Sequence, residues 1–507
     1  MKKIKFELLA WLFLLIVPTH VSGQNKPAQP LSFEEAFQLM EQNNPGLQQK
    51  KEQVKQKEFE QKVKRGMRLP TVSLNAQAIT MSQTISMDLS PVRDAIVPLY
   101  TTLGNFGDFS GVPNPDPNTN TEMPILPDDV STQVVRDNLL EAGQEIQSAD
   151  WEEVIQDKSF AVASAGFLWP VFSGGKIQGA NQAANVNLNI SKEEVRQEEG
   201  DLLNELVERY YGLELGLQVC KVREQMLENM EKHYQDAKKL YDNGIIAKVE
   251  LLHAEVSRNE AEREYKQAAR NLEIIRSGLA STLSNDTLGQ VLPTSHLFIN
   301  KQINELPQWI ATAKTYNPQL RQIQGKKELI NIQNKVDKGA YLPTIAMFGN
   351  YNIVNKNLSP YIPDWIVGVG LNWTVFDGMS RSNKIKVSNT MQQQVEFAEE
   401  QANNNLEAYL SKLYQELLMQ MEQKQELQST LALATEYSAS TEKAFNQGLA
   451  TSTSVVDAYV KVAQVKALSL KVMYDYDVAL ARFLQASGTP AEFITYCSGE
   501  NTISESL

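Results

Sequence analysis

Few side chains in this chain of 507 residues have the types and spacing that catalysis needs. Four histidines, His20, His233, His253 and His296, fall at no metal-ligand spacing, and neither a phosphate loop nor a nucleophile elbow occurs. Met226 and Met230 lie one helical turn apart and could offer thioethers to a soft metal. The same spacing serves packing in a helix seam, which is the reading adopted. Cys220 falls within a helical pattern and Cys497 in the tail; they could pair in an oxidising compartment, and they are read as two unpaired thiols. The expectation is no catalytic residue, no cofactor, no metal and no enzyme.

The informative polar residues stand at two glycine-containing turns, Asn243-Gly244-Ile245-Ile246-Ala247 and Gln447-Gly448-Leu449-Ala450-Thr451. Glycine ends a helix in the left-handed conformation. Apolar residues just beyond it either staple the turn or wait for a partner to cover them, which makes both tips candidate docking sites. Glu250 and His253 follow the first turn, and Ser454 and Asp457 follow the second; these four are the candidates for a pore constriction. If three copies brought Asp457 around one axis, the carboxylates would concentrate negative potential and favour cations at a constriction.

These turns occur twice because the chain is written twice. Asn44-Pro45 and Leu69-Pro70-Thr71-Val72 recur about 273 positions later as Asn317-Pro318 and Leu342-Pro343-Thr344-Ile345. Trp169, Phe172, Gly174, Tyr241, Gly244 and Ala254 recur about 204 positions later as Trp373, Phe376, Gly378, Phe445, Gly448 and Ala458. The first copy thus holds an insertion of about 69 residues, placed roughly over 83–155 in a surface loop. The expected divisions are a leader over 1–23, a first repeat over 24–290, a second over 291–488 and a tail over 489–507.

Each copy reads as helix, strand, strand, long helix, turn, helix. Ser32-Phe33-Glu34-Glu35 has a capping-box pattern and opens a helix expected to run past Asn44-Pro45 toward Arg68. Strict alternation puts Val72, Leu74, Ala76 and Ala78 on one face of a strand. Ala161 to Val171 and Ile345 to Ile353 alternate in the same way, as do Trp365 to Trp373, giving four strands of about 10 residues. That length suits a membrane-spanning strand, with Trp169 and Trp373 where an interfacial girdle would lie, and it also suits a two-sided sheet packed on helices. The small, polar face of Gly368, Gly370, Asn372 and Thr374 favours the membrane. Because a sheet in lipid must close, four strands need other copies, and three copies would supply twelve.

After each strand pair comes a helical pattern from about Ile177 to Asp242 and from about Ser380 to Asn446, roughly 100 Å each at 1.5 Å per residue. Leu206, Tyr210, Leu213, Leu217 and Cys220 keep coiled-coil spacing. So do Ala254 to Leu279 and Ala458 to Phe483 on the returning helices. The start, MKKIKFELLAWLFLLIVPTHVSG, reads as a secretory leader, and no later apolar run is long enough for a spanning helix. The net charge of −13 argues against a nucleic-acid partner.

With these residues in hand, the chain resembles the TolC family of outer-membrane efflux proteins. LSFEEAFQLMEQNNPGL is similar to the opening helix of that family, RLPTVSL and AYLPTIAMFGNY to its helix-to-strand joints, and WPVFSGGK and WTVFDGMS to its strand-to-helix joints. YDNGIIAKVELLHAE and FNQGLATSTSVVDAY resemble its turns. The resemblance implies a mainly α protein with a β-barrel part, a homotrimer sharing one twelve-stranded barrel in outer-membrane lipid, and a tube of helices crossing the periplasm. It implies tips that meet a periplasmic adaptor of the membrane-fusion kind, which links the duct to an inner-membrane pump. A gate aspartate of the family falls at Asp457, while its companion falls at Ser454 and the latch arginine at Ala450, so neither is reproduced. The insertion would then face outside the cell, either as a lid or as a tolerated loop. Export of small molecules is the principal expectation. A protein-secretion duct of the same architecture and a periplasmic scaffold or adhesin are the alternatives.

Overall fold

The structure, a computed structural model, describes residues 29–283, 291–498 and 502–504. The expected leader over 1–23 lies outside the described residues. In chain order the elements are β1 (Gln29–Leu31), α1 (Phe33–Asn43), α2 (Pro45–Gly66), β2 (Thr71–Thr80), β3 (Ile85–Asp88), α3 (Ser90–Phe106), α4 (Asp128–Ser148), β4 (Glu152–Gln156), β5 (Ser159–Phe172) and α5 (Lys176–Asp242). They continue as α6 (Lys248–Thr282), β6 (Val291–Pro293), β7 (Phe298–Asn300), α7 (Leu306–Tyr316), α8 (Pro318–Gly339), β8 (Thr344–Lys356), β9 (Trp365–Asn372), α9 (Ser380–Asn446), α10 (Ser452–Ser487), α11 (Glu492–Ser498) and β10 (Thr502–Ser504). Helix dominates, as the repeat predicts. The chain divides into a helical unit, residues 29–63, 179–335 and 382–504, and a sheet unit, residues 64–178 and 336–381.

In the helical unit the capping box is complete: Ser32 Oγ accepts from the Glu35 N–H, and the Glu35 carboxylate accepts from the Ser32 N–H at 2.9 Å. The helix beyond does not run through to Arg68. It stops at Asn44, whose ψ of 118° is the extended backbone that a following proline imposes. Asn44 Oδ1 then caps α2 by accepting from the Leu47 N–H at 3.0 Å, and Asn317 Oδ1 does the same for α8 from Leu320 N–H at 3.0 Å.

An aromatic cluster of Phe33, Tyr210, Tyr211, Phe298 and Phe493 fills the centre of this unit, with ring centroids 5.1–6.0 Å apart. The Tyr210 hydroxyl donates to the Leu31 carbonyl at 2.7 Å and accepts from the N–H groups of Thr294 and Ser295, so it ties β1 to the segment after β6. Met226 and Met230 are buried in the same core, where they pack. Cys220 and Cys497 are both free thiols.

Asp477 lies fully buried beside this cluster, and neither of its carboxyl oxygens has a hydrogen-bond partner of normal geometry. Burial pushes its pKa well above the usual carboxylate range, opposed only by a pull from the Phe298 backbone N–H. Because the folded pKa is raised, the stability associated with this group is complete below about pH 3.8 and is lost as pH rises through the folded value. An Asp477→Asn variant has no such titration. Its thermal midpoint is therefore expected to gain on the parent between pH 4 and pH 9, by an amount matching about 1–3 kcal/mol. Parallel pH profiles for the two proteins would refute the assignment.

In the sheet unit the four principal strands form an antiparallel sheet in the order β2-β5-β8-β9. β2 spans the predicted residues, whereas β5 and β8 run to 14 and 13 residues and β9 stops at 8, one residue short of Trp373. Register carries the apolar alternation across every strand: Val72 pairs with Phe167, Phe167 with Gly349 and Gly349 with Val367, while Leu74 pairs with Ala165, Ala165 with Tyr351 and Tyr351 with Trp365. Bulges at Ala163/Ser164 and Pro170/Phe172 absorb the extra residues of β5 and β8. The opposite face carries Ser73, Asn75, Asn350 and Asn352. There Gly368 leaves room for a ring, since a Cβ on it would come within 2.8 Å of Phe348.

The insertion is folded. β3 and β4 extend the β2–β5 hairpin antiparallel, and α3 packs on α4 where Gly104 meets Leu140 and Gly143 meets Tyr100. The sequence pattern indicates one short helix near Val134 to Gln147. The structure corrects this to two helices and a strand pair, with α4 longer at both ends.

Candidate functional site: the paired tips and the joints

The tips form because the last turn of each long helix ends on a glycine with positive φ, +71° at Gly244 and +74° at Gly448. In both, the N–H three residues beyond the helix returns to a carbonyl five residues back: Ile245 to Leu240 and Leu449 to Ala444, each at 2.9 Å. Thr451 caps α10 by accepting from Ser454 N–H at 3.2 Å, and its hydroxyl also meets the Ser454 hydroxyl at 2.9 Å. Ala247 at the start of α6 has no side-chain cap.

The two tips touch each other. A Cβ added to Gly448 would lie 3.8 Å from Ile245 Cγ2. Ser452, fully buried, is the hub of their contact. Its N–H donates to Glu250 Oε2 at 2.8 Å, and its hydroxyl lies 2.8 Å from His233 Nε2 and 3.4 Å from His253 Nδ1. The Glu250 carboxylate thereby caps the N-terminus of α10 from the other hairpin, where the helix dipole favours an anion. His233 packs on the Phe445 ring with centroids 4.7 Å apart, and Lys232 pairs with Glu442 beside it. Burial holds the His233 pKa down at about 4.

The four residues expected to line a constriction therefore divide. Glu250 and His253 are half-buried and engaged with Ser452, and Ser454 is part of a helix cap. Asp457 is exposed and has no ion pair or hydrogen bond. Sequence reading missed His233 and Ser452 as partners. Their only signal was a polar residue at buried helical positions, and it does not reveal a contact across some 219 positions.

Around the hub, the tip surface is apolar. Leu449 is 78% exposed and Ile245 58%. Val249, Leu252 and Val256 continue from Ile245 along one stripe of α6, and all are exposed. Asn243, Gln447 and Gly244 are exposed as well, Ile246 and Ala450 are partly buried, and Ala247 and Thr451 sit at the helix starts.

At the joints of the sheet unit the two sequence offsets converge on one bond. The Trp169 indole donates to the Arg68 carbonyl at 3.0 Å, and the Trp373 indole to the Tyr341 carbonyl, also at 3.0 Å. Each indole is anchored at its polar end and exposed along its ring. Arg381, which the sequence reading passed over, closes the second joint. Its guanidinium pairs with Asp377 at 3.0 Å, donates to the carbonyls of Ala340 and Val375, and lies over the Tyr341 ring.

Among the described residues no helix is long and apolar enough to cross a membrane, and no group of histidine, cysteine and acidic residues is placed to hold a metal ion. The sheet is another matter: Val72 and Leu74 are 72% and 76% exposed, and Trp365, Val367, Val369 and Leu371 on the same face are also bare. Among the described residues the outer edges of β2 and β9 are unpaired.

The sequence matches the outer membrane efflux protein family over residues 140–285 and 309–489. Solved structures share the fold. A membrane protein from Pseudomonas aeruginosa is 13% identical with a TM-score of 0.65, covering 90% of this chain and 92% of its own. VceC from Vibrio cholerae is 12% identical with a TM-score of 0.65, covering 90% and 96%. The CmeC outer membrane channel of Campylobacter jejuni is 12% identical with a TM-score of 0.65, covering 92% and 89%. At such identities the likeness is one of fold. No curated protein matches the chain in sequence.

Proposed function

The chain belongs to the outer membrane efflux protein family, whose members are channels of the outer membrane, and from that premise we propose that three copies form one passive duct for the export of small molecules. One observation carries the reading: an apolar sheet face continuous across four strands, bare along β2 and β9, partly exposed along β5 and β8, and bounded by two open edges. Such a face is costly in water and open edges are not tolerated in lipid. Pairing β9 of one copy with β2 of the next removes both costs. Two copies would give an eight-stranded barrel filled by its own side chains, so three is the smallest number that leaves a lumen. Trp169 and Trp373, fixed at the joints, then sit at one membrane interface. The leader and the repeat boundaries at 24–290 and 291–488 fit the same assembly.

A duct without an energy source needs partners. The bare stripe Ile245, Val249, Leu252 and Val256 and the tip residue Leu449 fit an adaptor that docks by helix-to-helix contact and connects the duct to an inner-membrane pump. Asp457 is exposed near the second tip, and three copies of it would set cation preference at the narrow end.

The test is the native mass of the mature protein extracted in mild detergent, followed by single-channel recording. A conducting trimer is expected. A monomer or a non-conducting species would end the twelve-strand reading. In the same recordings Asp457→Asn removes three formal charges and is expected to lower the cation-to-anion permeability ratio by about twofold or more. An unchanged ratio takes Asp457 out of the constriction.

A further inference from the structure

The insertion presents a second unpartnered surface, far in sequence from the tips. On α3, Val92, Ile96, Leu99, Leu103 and Phe106 follow one another at spacings of four and three, the seam of a coiled coil. Four of the five are exposed, Phe106 to 80%, and Ile96 is half-buried. This stripe is not the face that α3 uses internally. Tyr100 and Gly104 point at α4, and the helical period sets that face about 100° away from the seam.

We propose that the α3 seam docks against the same seam in neighbouring copies of this chain, so that three α3 helices draw together over the outer mouth of the duct. The inference rests on the trimeric reading above. Three features favour a copy of the chain as the occupant. First, α3 follows directly on β3, which continues edge strand β2; in the trimer that edge is where the next copy joins. The hairpin pairing runs on past the sheet through Met81 N–H to the Lys158 carbonyl at 2.8 Å and Leu89 N–H to the Trp151 carbonyl at 2.7 Å, so the helix is held at a defined place.

Second, the base of the insertion is bolted to the β8–β9 loop. Gln156 donates to the Asn357 carbonyl at 2.8 Å and accepts from Ser359 N–H at 2.8 Å. Both hairpins therefore meet at the end of the sheet opposite the helix joints, which is the mouth. Third, the charges suit neither lipid headgroups nor a charged partner. The only ionised groups of α3, Arg93 and Asp94, pair with each other at 2.8 Å, and the outer side of α4 carries Asp137, Glu141 and Glu145, which anionic headgroups repel. A narrow apolar seam bordered by Thr102 fits another seam of its own kind better than it fits acyl chains.

The experiment uses the full mature protein in outer membranes. In a Leu103→Cys variant, mild oxidation is expected to link most chains into covalent dimers. Three cysteines about one axis pair only two at a time. A Glu141→Cys variant on the far side of α4 should give no such product, and the native Cys220 and Cys497 remain in both as an internal control. A Leu99→Asn/Leu103→Asn variant, free of any oxidation step, is expected to raise single-channel conductance at least about twofold. A conducting trimer in which Cys-substituted position 103 stays unlinked overturns the inference and leaves the duct intact, and labelling of that position by a lipid-phase reagent would assign the seam to lipid instead. Parent-like conductance in the double variant overturns it as well. Absence of any trimer removes the trimeric reading and this inference with it.

Discussion

Acidification from pH 7 to pH 4 is expected to weaken the packing of the two tips by roughly 3 kcal/mol, through His233 alone. Burial keeps this imidazole neutral, with a pKa of about 4 against an ordinary 6.5. Asp236 on the same helix, Glu442 on α9 and Glu250 on α6 all pull the value up, His253 on α6 pushes it down, and burial prevails. In a loosened tip His233 returns to its ordinary value. Between about pH 6.5 and pH 4 only the loosened state takes up the proton. Stability is therefore complete above 6.5, falls as pH falls through that window, and levels off below about 4.

A His233→Gln variant keeps a polar group for the Ser452 hydroxyl but has nothing to titrate. Amide exchange over residues 230–256 and 442–460, followed from pH 4 to pH 8, should show accelerated opening in the acidified parent and a flat profile in the variant. Identical profiles in both would show that His233 does not control the contact. In the trimeric duct the same loosening would widen the end at which Asp457 stands, so the conductance of the parent should rise in acid while that of the variant stays level.

What the sequence revealed and what it concealed divide along the range of the interactions. The alternation from Thr71 to Thr80 depends on each residue's own polarity, and β2 spans those residues. Gly244 and Gly448 end their helices through a conformation that only their own backbone requires, and α5 and α9 stop two residues before them. The break at Asn44 was legible in principle, since a proline follows, but the capping box before it and the apolar spacing beyond it masked the interruption. α3 went unseen because Pro98 in its middle reads as a helix breaker, whereas in the fold its packing on α4 through Tyr100 and Gly104 supports the helix across it.

The candidate site was less legible than the fold. Glu250 and His253 have the types expected of a polar lining, and their spacing suits one face of α6. Their role depends on Ser452, about 200 positions away, and one serine among many gives no sign of being a hub. Gly368 and Gly370 read as a small inner face, while the structure shows that Phe348 occupies the space above Gly368. Asp457, by contrast, keeps the exposed position that its helix surface suggests. Duplication was the most informative signal at joints: the offsets that relate Arg68 to Tyr341 and Trp169 to Trp373 differ, yet both pairs meet in the same indole-to-carbonyl bond.

Replacing Gly488 with alanine is expected to cost about 4 kcal/mol or more, enough to empty the outer membrane of folded protein, although the change adds one methyl group. Gly488 follows α10 with φ of +85° and ψ of 13°, its N–H returning to the Gln485 carbonyl at 3.0 Å. A left-handed alanine costs about 1–2 kcal/mol by itself. The larger part is the contact: the new Cβ would lie 2.5 Å from the Tyr316 carbonyl oxygen and 2.7 Å from the Asn317 nitrogen. Those are backbone atoms of the turn between α7 and α8, and they have little freedom to move. Asn317 donates to the Ala486 carbonyl at 2.9 Å and caps α8, and Arg196 donates to the Tyr316 carbonyl at 3.1 Å. The comparison that isolates the contact is Gly244→Ala, where φ is +71° and nothing lies within 4 Å of the new methyl, so only the backbone cost of about 1–2 kcal/mol applies. Thermal midpoints of the two variants should differ widely at nearly equal φ. Similar midpoints would mean that the α7–α8 turn yields to the methyl, and that the opening helices of the second repeat are held less tightly to α10 than these distances require.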